Sequence, residues 1–271
     1  MYLEGFFGVY FPLYAIFSPK YICSFWRNIM TLPKIAVKTY SVKLPICNKT
    51  IKIRPFTVKE QKTLLMTATE VGEEVTGESR SHLISNFLEV LQSCVHGNHD
   101  LTTLTVTDFI FLMVKLREFS VGEDIKLAYK CPCGESVTPV MSLKSIKVKN
   151  IKKGSDYEKE LKITPEVVIK LRPPTVKESM MMTEVKDEND LSVTILASCI
   201  KEISDSETVY DTSEYTIKEL NEFVDGFPVE KLKDIQQYFE SLPYPYIKIT
   251  AECPDPAGKI DVEVKDIFDF F

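Results

Sequence analysis

The sequence predicts an α+β fold of segregated helices and hairpins, laid out as two diverged copies of one hairpin–helices–hairpin unit. Three observations lead there. Residues Ile51-Lys52-Ile53-Arg54-Pro55-Phe56-Thr57-Val58-Lys59-Glu60 recur as Ile169-Lys170-Leu171-Arg172-Pro173-Pro174-Thr175-Val176-Lys177-Glu178, changed only at Ile53/Leu171 and Phe56/Pro174. Behind each segment comes a Leu-x-Ser-Cys landmark, Leu91 to Cys94 and Leu196 to Cys199. Each copy then closes on alternating residues around a Cys-Pro pair, Cys131-Pro132 and Cys253-Pro254. The interval from Arg54 to Cys94 exceeds that from Arg172 to Cys199, which fits a duplication with loop changes and not a solenoid of fixed period. The expected units are residues 30–155 and 156–271, with 1–29 an extension outside the fold.

Taken in order, Thr39 to Leu44 and Thr50 to Arg54 alternate polar and apolar residues around Pro45 and Asn48, a hairpin pattern. Lys159 to Ile163 and Val167 to Arg172 repeat it around Thr164-Pro165. The second strand of each runs into proline, which cannot continue a ladder. Thr57-Val58-Lys59-Glu60 and Thr175-Val176-Lys177-Glu178 then have the form of capping boxes. There the threonine hydroxyl accepts one helix N–H and the glutamate reaches back to another, so a helix is predicted after each. In the first copy, Leu83, Phe87, Val90, Leu91 and Cys94 share one helical face, and Asp108 is placed to cap a helix carrying Phe109, Leu112, Met113 and Leu116. The second copy predicts helices over Leu191–Ile200, Thr216–Val224 and Val229–Leu242. Strands follow at Ile125–Tyr129 and Val137–Leu143, and at Tyr246–Glu252 and Lys259–Val264.

Composition excludes several classes. The 271 residues are 44% hydrophobic and 27% charged, an ordinary globular balance, and the net charge of −6 disfavours a grip on phosphate backbones. Seven cysteines without regular spacing suggest a reducing compartment. Residues 1–29 differ from the rest, with 10 of the 29 aromatics including Trp26. Pro12 and Pro19 interrupt the apolar run, and the opening Met-Tyr-Leu-Glu lacks the basic start of a signal peptide. Translation from Met30 explains the break, and an amphipathic anchor or partner-binding arm is the alternative.

Chemistry finds little to work with. The metal-like set is Cys131, Cys133 and Cys253, three thiolates on two turns; structural zinc sites use four ligands and wider spacing, so no cofactor is expected. His96-Gly97-Asn98-His99-Asp100 reads as the loop closing a helix. Cys94 and Cys199 fall on apolar faces as small hydrophobes. Glu73-Glu74 sits in a polar loop, no glycine-rich phosphate loop occurs, and the repeated Arg-Pro-x-Thr-Val-Lys-Glu holds no nucleophile–base pair, so no enzyme is expected.

Ile53-Arg54-Pro55-Phe56-Thr57-Val58-Lys59-Glu60 with Leu64-Leu65-Met66 resembles the opening of the baseplate-hub protein family of T-even-like contractile-tailed bacteriophages. Thr107-Asp108-Phe109, Phe111-Leu112, Leu116-Arg117 and Ser120-Val121-Gly122-Glu123 resemble its middle, and Cys131 to Gly134 and Ile267-Phe268-Asp269-Phe270-Phe271 its turns and terminus. The resemblance runs from Lys34 to Phe271, and a Cys-x-x-Cys knuckle is incomplete at Cys253. It implies a late structural or assembly protein of the baseplate hub without enzymatic activity. The implied partners are other hub and tail proteins, with neither nucleic acid nor membrane, in the virion tail baseplate or the infected host cytoplasm. The competing classes are a zinc-dependent nucleic-acid-binding module and a peripheral membrane protein using residues 1–29.

Overall fold

Alternation becomes hairpin where the sequence predicts it. The computed structural model describes residues 35–71, 77–131, 134, 136–152, 157–181, 188–252 and 258–265. Strands β1 (Tyr40–Lys43) and β2 (Thr50–Ile53) pair antiparallel with Val42 opposite Ile51, and the inward side chains of Val42, Ile51 and Ile53 are buried. Helices α1 (Val58–Val71) and α2 (Gly77–Cys94) follow, and α2 runs straight into the short strand β3 (Val95–His96), which adds to β2 with Ile53 opposite Val95. After a 3-10 turn, Leu101–Thr103, helix α3 (Val106–Val121) covers the sheet with Phe109, Leu112, Met113 and Leu116.

Short pairs close this half: β4 (Asp124–Lys126) with β7 (Val140–Ser142), and β5 (Tyr129–Lys130) with β6 (Ser136–Val137). Strand β8 (Lys147–Lys149) follows. The next stretch forms a four-stranded antiparallel sheet in the order β12-β11-β10-β9, from β9 (Lys159–Lys162), β10 (Val168–Leu171), β11 (Ile200–Ser204) and β12 (Val209–Asp211). Its helices are α4 (Val176–Met181), α5 (Glu188–Cys199), α6 (Ile217–Asp225) and α7 (Leu232–Ser241). The chain ends the described fold on the hairpin of β13 (Tyr244–Glu252) and β14 (Lys259–Val264). Mixed helix and antiparallel sheet make the class α+β.

Among the described residues, three buried clusters organise the fold. One lies under β1–β3 and α1–α3, and a second under β9–β11 and α5–α7 around Ile169, Leu171, Leu196 and Tyr238. The third joins Val114, Met141, Leu143 and Ile146, from the middle of the chain, to Ile247, Ile249 and Val264 near its end. Backbone contacts do the same. β8 pairs with the start of β13, Lys149 opposite Tyr244, and Thr105 bridges Thr175 while Val106 N–H donates to the Pro174 carbonyl (3.2 Å) and Val176 N–H to that of Leu104 (2.9 Å). Val176 is buried in the first cluster, not the second.

Several sequence expectations are corrected. Asp108 does not cap α3: Thr105 does, its hydroxyl accepting from Asp108 N–H (3.2 Å), and Asp108 lies within the first turn of the helix with its carboxylate bonded to the N–H groups of Ile46 and Cys47. The helix predicted to reach Ile200 stops at Cys199, and Ile200 opens β11, whose hairpin with β12 alternation did not reveal. The single helix expected over Val229–Leu242 starts as a 3-10 turn, Val229–Lys231, before α7. His96 belongs to β3, opposite Lys52, and not to a loop.

The capping box at Thr216 forms in full. Its hydroxyl accepts from Glu219 N–H (3.3 Å) while Glu219 Oε2 accepts from Thr216 N–H (2.8 Å). Thr216→Ala is therefore expected to lower stability by about 1 kcal/mol, the usual cost of a lost cap. Urea melts that overlay those of the parent chain would contradict the assignment.

Candidate functional site

The repeated segment and the Leu-x-Ser-Cys landmark, distant in sequence, meet in space. Arg54 leaves β2 and its backbone N–H donates to the carbonyl of Cys94 (2.9 Å), which fixes the strand to the end of α2. Its guanidinium reaches the last turn of the same helix: Nη2 donates to the Ser93 carbonyl (3.0 Å) and to Glu60 Oε1 (2.7 Å). A cation there satisfies a carbonyl that the helix leaves unpaired and complements the negative end of its dipole. Glu60 Oε2 in turn accepts from Thr57 N–H (2.6 Å) and from the Thr57 hydroxyl, so the Arg54–Glu60 pair ties the start of α1 to the end of α2.

The second segment builds the same clamp. Arg172 N–H donates to the Cys199 carbonyl (2.9 Å), and its Nη2 to the Ser198 carbonyl (3.0 Å). Its two terminal nitrogens grip Glu178 in a bidentate pair (3.2 and 3.1 Å), and Glu178 Oε2 accepts from Thr175 N–H (2.7 Å) and the Thr175 hydroxyl. In both clamps the threonine hydroxyl is turned to the carboxylate instead of to a helix N–H, which differs from the box the sequence predicts. At Thr216, which has no arginine partner on its glutamate, the hydroxyl also donates to the carboxylate (2.8 Å) but accepts the Glu219 N–H (3.3 Å) as well.

Electrostatics follow from this packing. Burial alone would raise Glu60, but hydrogen bonds from Arg54 and Thr57 outweigh it and bring the carboxyl down to about 2. Glu178 is lowered in the same way, burial being overcome by Arg172 and Thr175. Beside the second clamp, burial pushes the Cys199 thiol up to about 12, and Cys94 is also raised by burial. Thiols so held are not nucleophiles at neutral pH. Arginine, glutamate and threonine saturate one another, so the clamp joins secondary structures and holds no base aimed at a nucleophile.

The remaining candidates scatter. Cys131 is buried and its carbonyl accepts from Gly134 N–H (2.8 Å), whereas Cys133 and Cys253 lie outside the described residues, as do Glu73 and Glu74. Among the described residues, no three His, Cys, Asp or Glu side chains gather to hold a metal ion. Asp100, next to His99, caps the 3-10 turn by accepting from Thr102 N–H (3.0 Å).

One polar residue has a role that differs from the helix cap its sequence position suggests. The carboxylate of Asp108, fully buried, accepts from the N–H groups of Ile46 (2.8 Å) and Cys47 (3.0 Å) at the β1–β2 turn. A lone acid at the head of the apolar run Phe109 to Val114 was the available signal, and its likeness to a helix cap concealed it.

Surfaces are left for contact. β1 edges its three-stranded sheet, β9 and β12 edge the four-stranded one, and α1 shows Val58, Leu65 and Met66 to solvent. Among the described residues no helix is long and apolar enough to cross a membrane. No curated protein and no solved structure matches the chain. A family model described as T4 bacteriophage base plate protein matches residues 37–271, and the chain, a T4-like phage baseplate protein, belongs to that family.

Proposed function

We propose that the chain is a structural or assembly protein of the central hub of the phage tail baseplate, acting without catalysis through protein–protein contacts. The match of residues 37–271 to the base plate family supports this reading, since membership of that family implies association with other baseplate proteins. The hub is the finer step and rests on the resemblance of the motifs from Ile53 to Phe271. The edges of β1, β9 and β12 offer strips to which a partner can add a strand. The paired clamps, with matching backbone bonds and the same Arg–Glu–Thr partners, support an origin by internal duplication into units 30–155 and 156–271.

Co-purification of the tagged chain from infected cells, with mass spectrometry of mature particles, tests the reading. Hub proteins in the eluate and the chain in the particle make it a hub component; the first without the second makes it an assembly factor. A chain found with neither is not a hub protein. No zinc is expected either, because Cys131, Cys133 and Cys253 give three thiolates where a structural site closes with four ligands. Protein purified under reducing conditions should keep its melting temperature in chelator. One zinc per chain, lost in Cys253→Ser, would reverse that expectation.

A further inference from the structure

Where the start of α3, Pro173–Pro174 and the segment Leu242–Pro245 converge, the fold leaves a groove of about 280 Å³. That is below the roughly 300–1,000 Å³ of pockets that enclose whole small molecules, and it suits a single large side chain. Its floor is apolar, formed by Val106, Ile110, Phe239 and Leu242. Four of its lining residues are prolines, which carry no N–H, and the Thr107 hydroxyl is already committed to the Pro243 carbonyl (2.6 Å). A polar ligand would find few donors inside.

The mouth is different. Lys265 lines it, with Nζ 4.7 Å from the centre of the Tyr244 ring, and Lys149 Nζ stands 5.7 Å from the same ring. Both lysines share one carboxylate, Glu263, at 3.6 and 3.4 Å. Among the described residues, these two cations against one anion leave a positive rim on a chain whose net charge is −6. An apolar floor beside that single positive charge fits a peptide with a ring and a neighbouring acid; a polyanion such as nucleic acid would be repelled by the rest of the surface.

We propose that this groove docks an acidic peptide segment of another baseplate protein, an aromatic side chain entering the floor and an adjacent Asp or Glu landing on Lys265 and Lys149. The proposal rests on the reading that the protein works through protein contacts and adds the place and the chemistry of one of them.

A fluorescent Gly-Asp-Phe-Asp-Gly peptide titrated into the full chain tests it by anisotropy. Saturable binding is expected, weakened roughly fivefold or more by Lys265→Glu and by Lys149→Glu, because each reversal turns a rim attraction into repulsion. Gly-Asp-Gly-Asp-Gly and Gly-Lys-Phe-Lys-Gly should not bind. Absent binding to the folded chain, binding indifferent to both lysines, or equal binding of the peptide without the ring would each overturn the proposal. So would tighter probe binding by Phe268→Ser, which would assign the groove to residues 266–271 of the same chain. Co-purification with baseplate proteins by a chain that ignores the probe refutes the groove alone. Probe binding by a chain that finds no baseplate protein refutes the proposed function alone.

Discussion

Asp108→Ala is expected to lower stability by about 3 kcal/mol, on the order of 10 °C in melting temperature. The carboxylate is fully buried and bonds two backbone N–H groups, of Ile46 and Cys47, that close the β1–β2 turn. Removing it strands both donors away from water, each at a cost of about 1–3 kcal/mol, and opens a small cavity under the hairpin. Asp108→Asn should recover only part of the loss, since an amide offers one acceptor and sets an N–H₂ against the other donor. Thermal melts and hydrogen exchange of the Ile46 and Cys47 amides measure this. Slow exchange and an unchanged melt in the alanine variant would remove the turn-holding role.

Arg172→Ala should cost about as much. It leaves Glu178, only 8% exposed, without its bidentate partner, and frees the Ser198 carbonyl at the end of α5. Breaking a buried pair from one side costs about 3 kcal/mol or more because the surviving charge stays desolvated. The same logic sets the acid limb. Glu60 has its folded carboxyl at about 2 against an ordinary 4.5, so its contribution is fully present above pH 4.5. It is lost as pH falls from there towards 2, when the folded protein must take up the proton. Glu178 is displaced in the same direction. Arg54→Ala should therefore flatten the loss of stability over that window, and an unchanged acid limb would show that Glu60 is not held by Arg54.

Much of the hairpin scaffold could be read from the chain because alternation at Val42, Ile51 and Ile53, or at Leu161, Ile169 and Leu171, is a local signal with a buried outcome. Helix starts at Val58, Val176 and Ile217 followed from threonine and glutamate three residues apart. The clamps did not, because half of their partners are carbonyls, of Ser93, Cys94, Ser198 and Cys199, and a carbonyl has no residue signature. Ile200 fits the apolar face of a helix and the inner face of a strand equally, so the change from α5 to β11 left no mark. Asp108 shows the converse error: a residue type suited to helix ends was spent on a turn far away in sequence. The groove depends on Val106, Pro174, Leu242 and Lys265 meeting across the fold, which no window of neighbouring residues can report.

The pairing of β8 with the start of β13 bears on how the protein is made. During synthesis the first half leaves the ribosome with Lys147–Lys149 unpaired, and the strand that completes this ladder is among the last to emerge. Val176 likewise fills the first cluster only after Pro174 and Thr175 have been added. Early folding must wait on late residues, a slow order of events for a chain of such long-range contacts. Severing the gene between the two clamps would yield fragments that each lack a strand or a core residue of the other. Such fragments should regain structure when mixed and not apart.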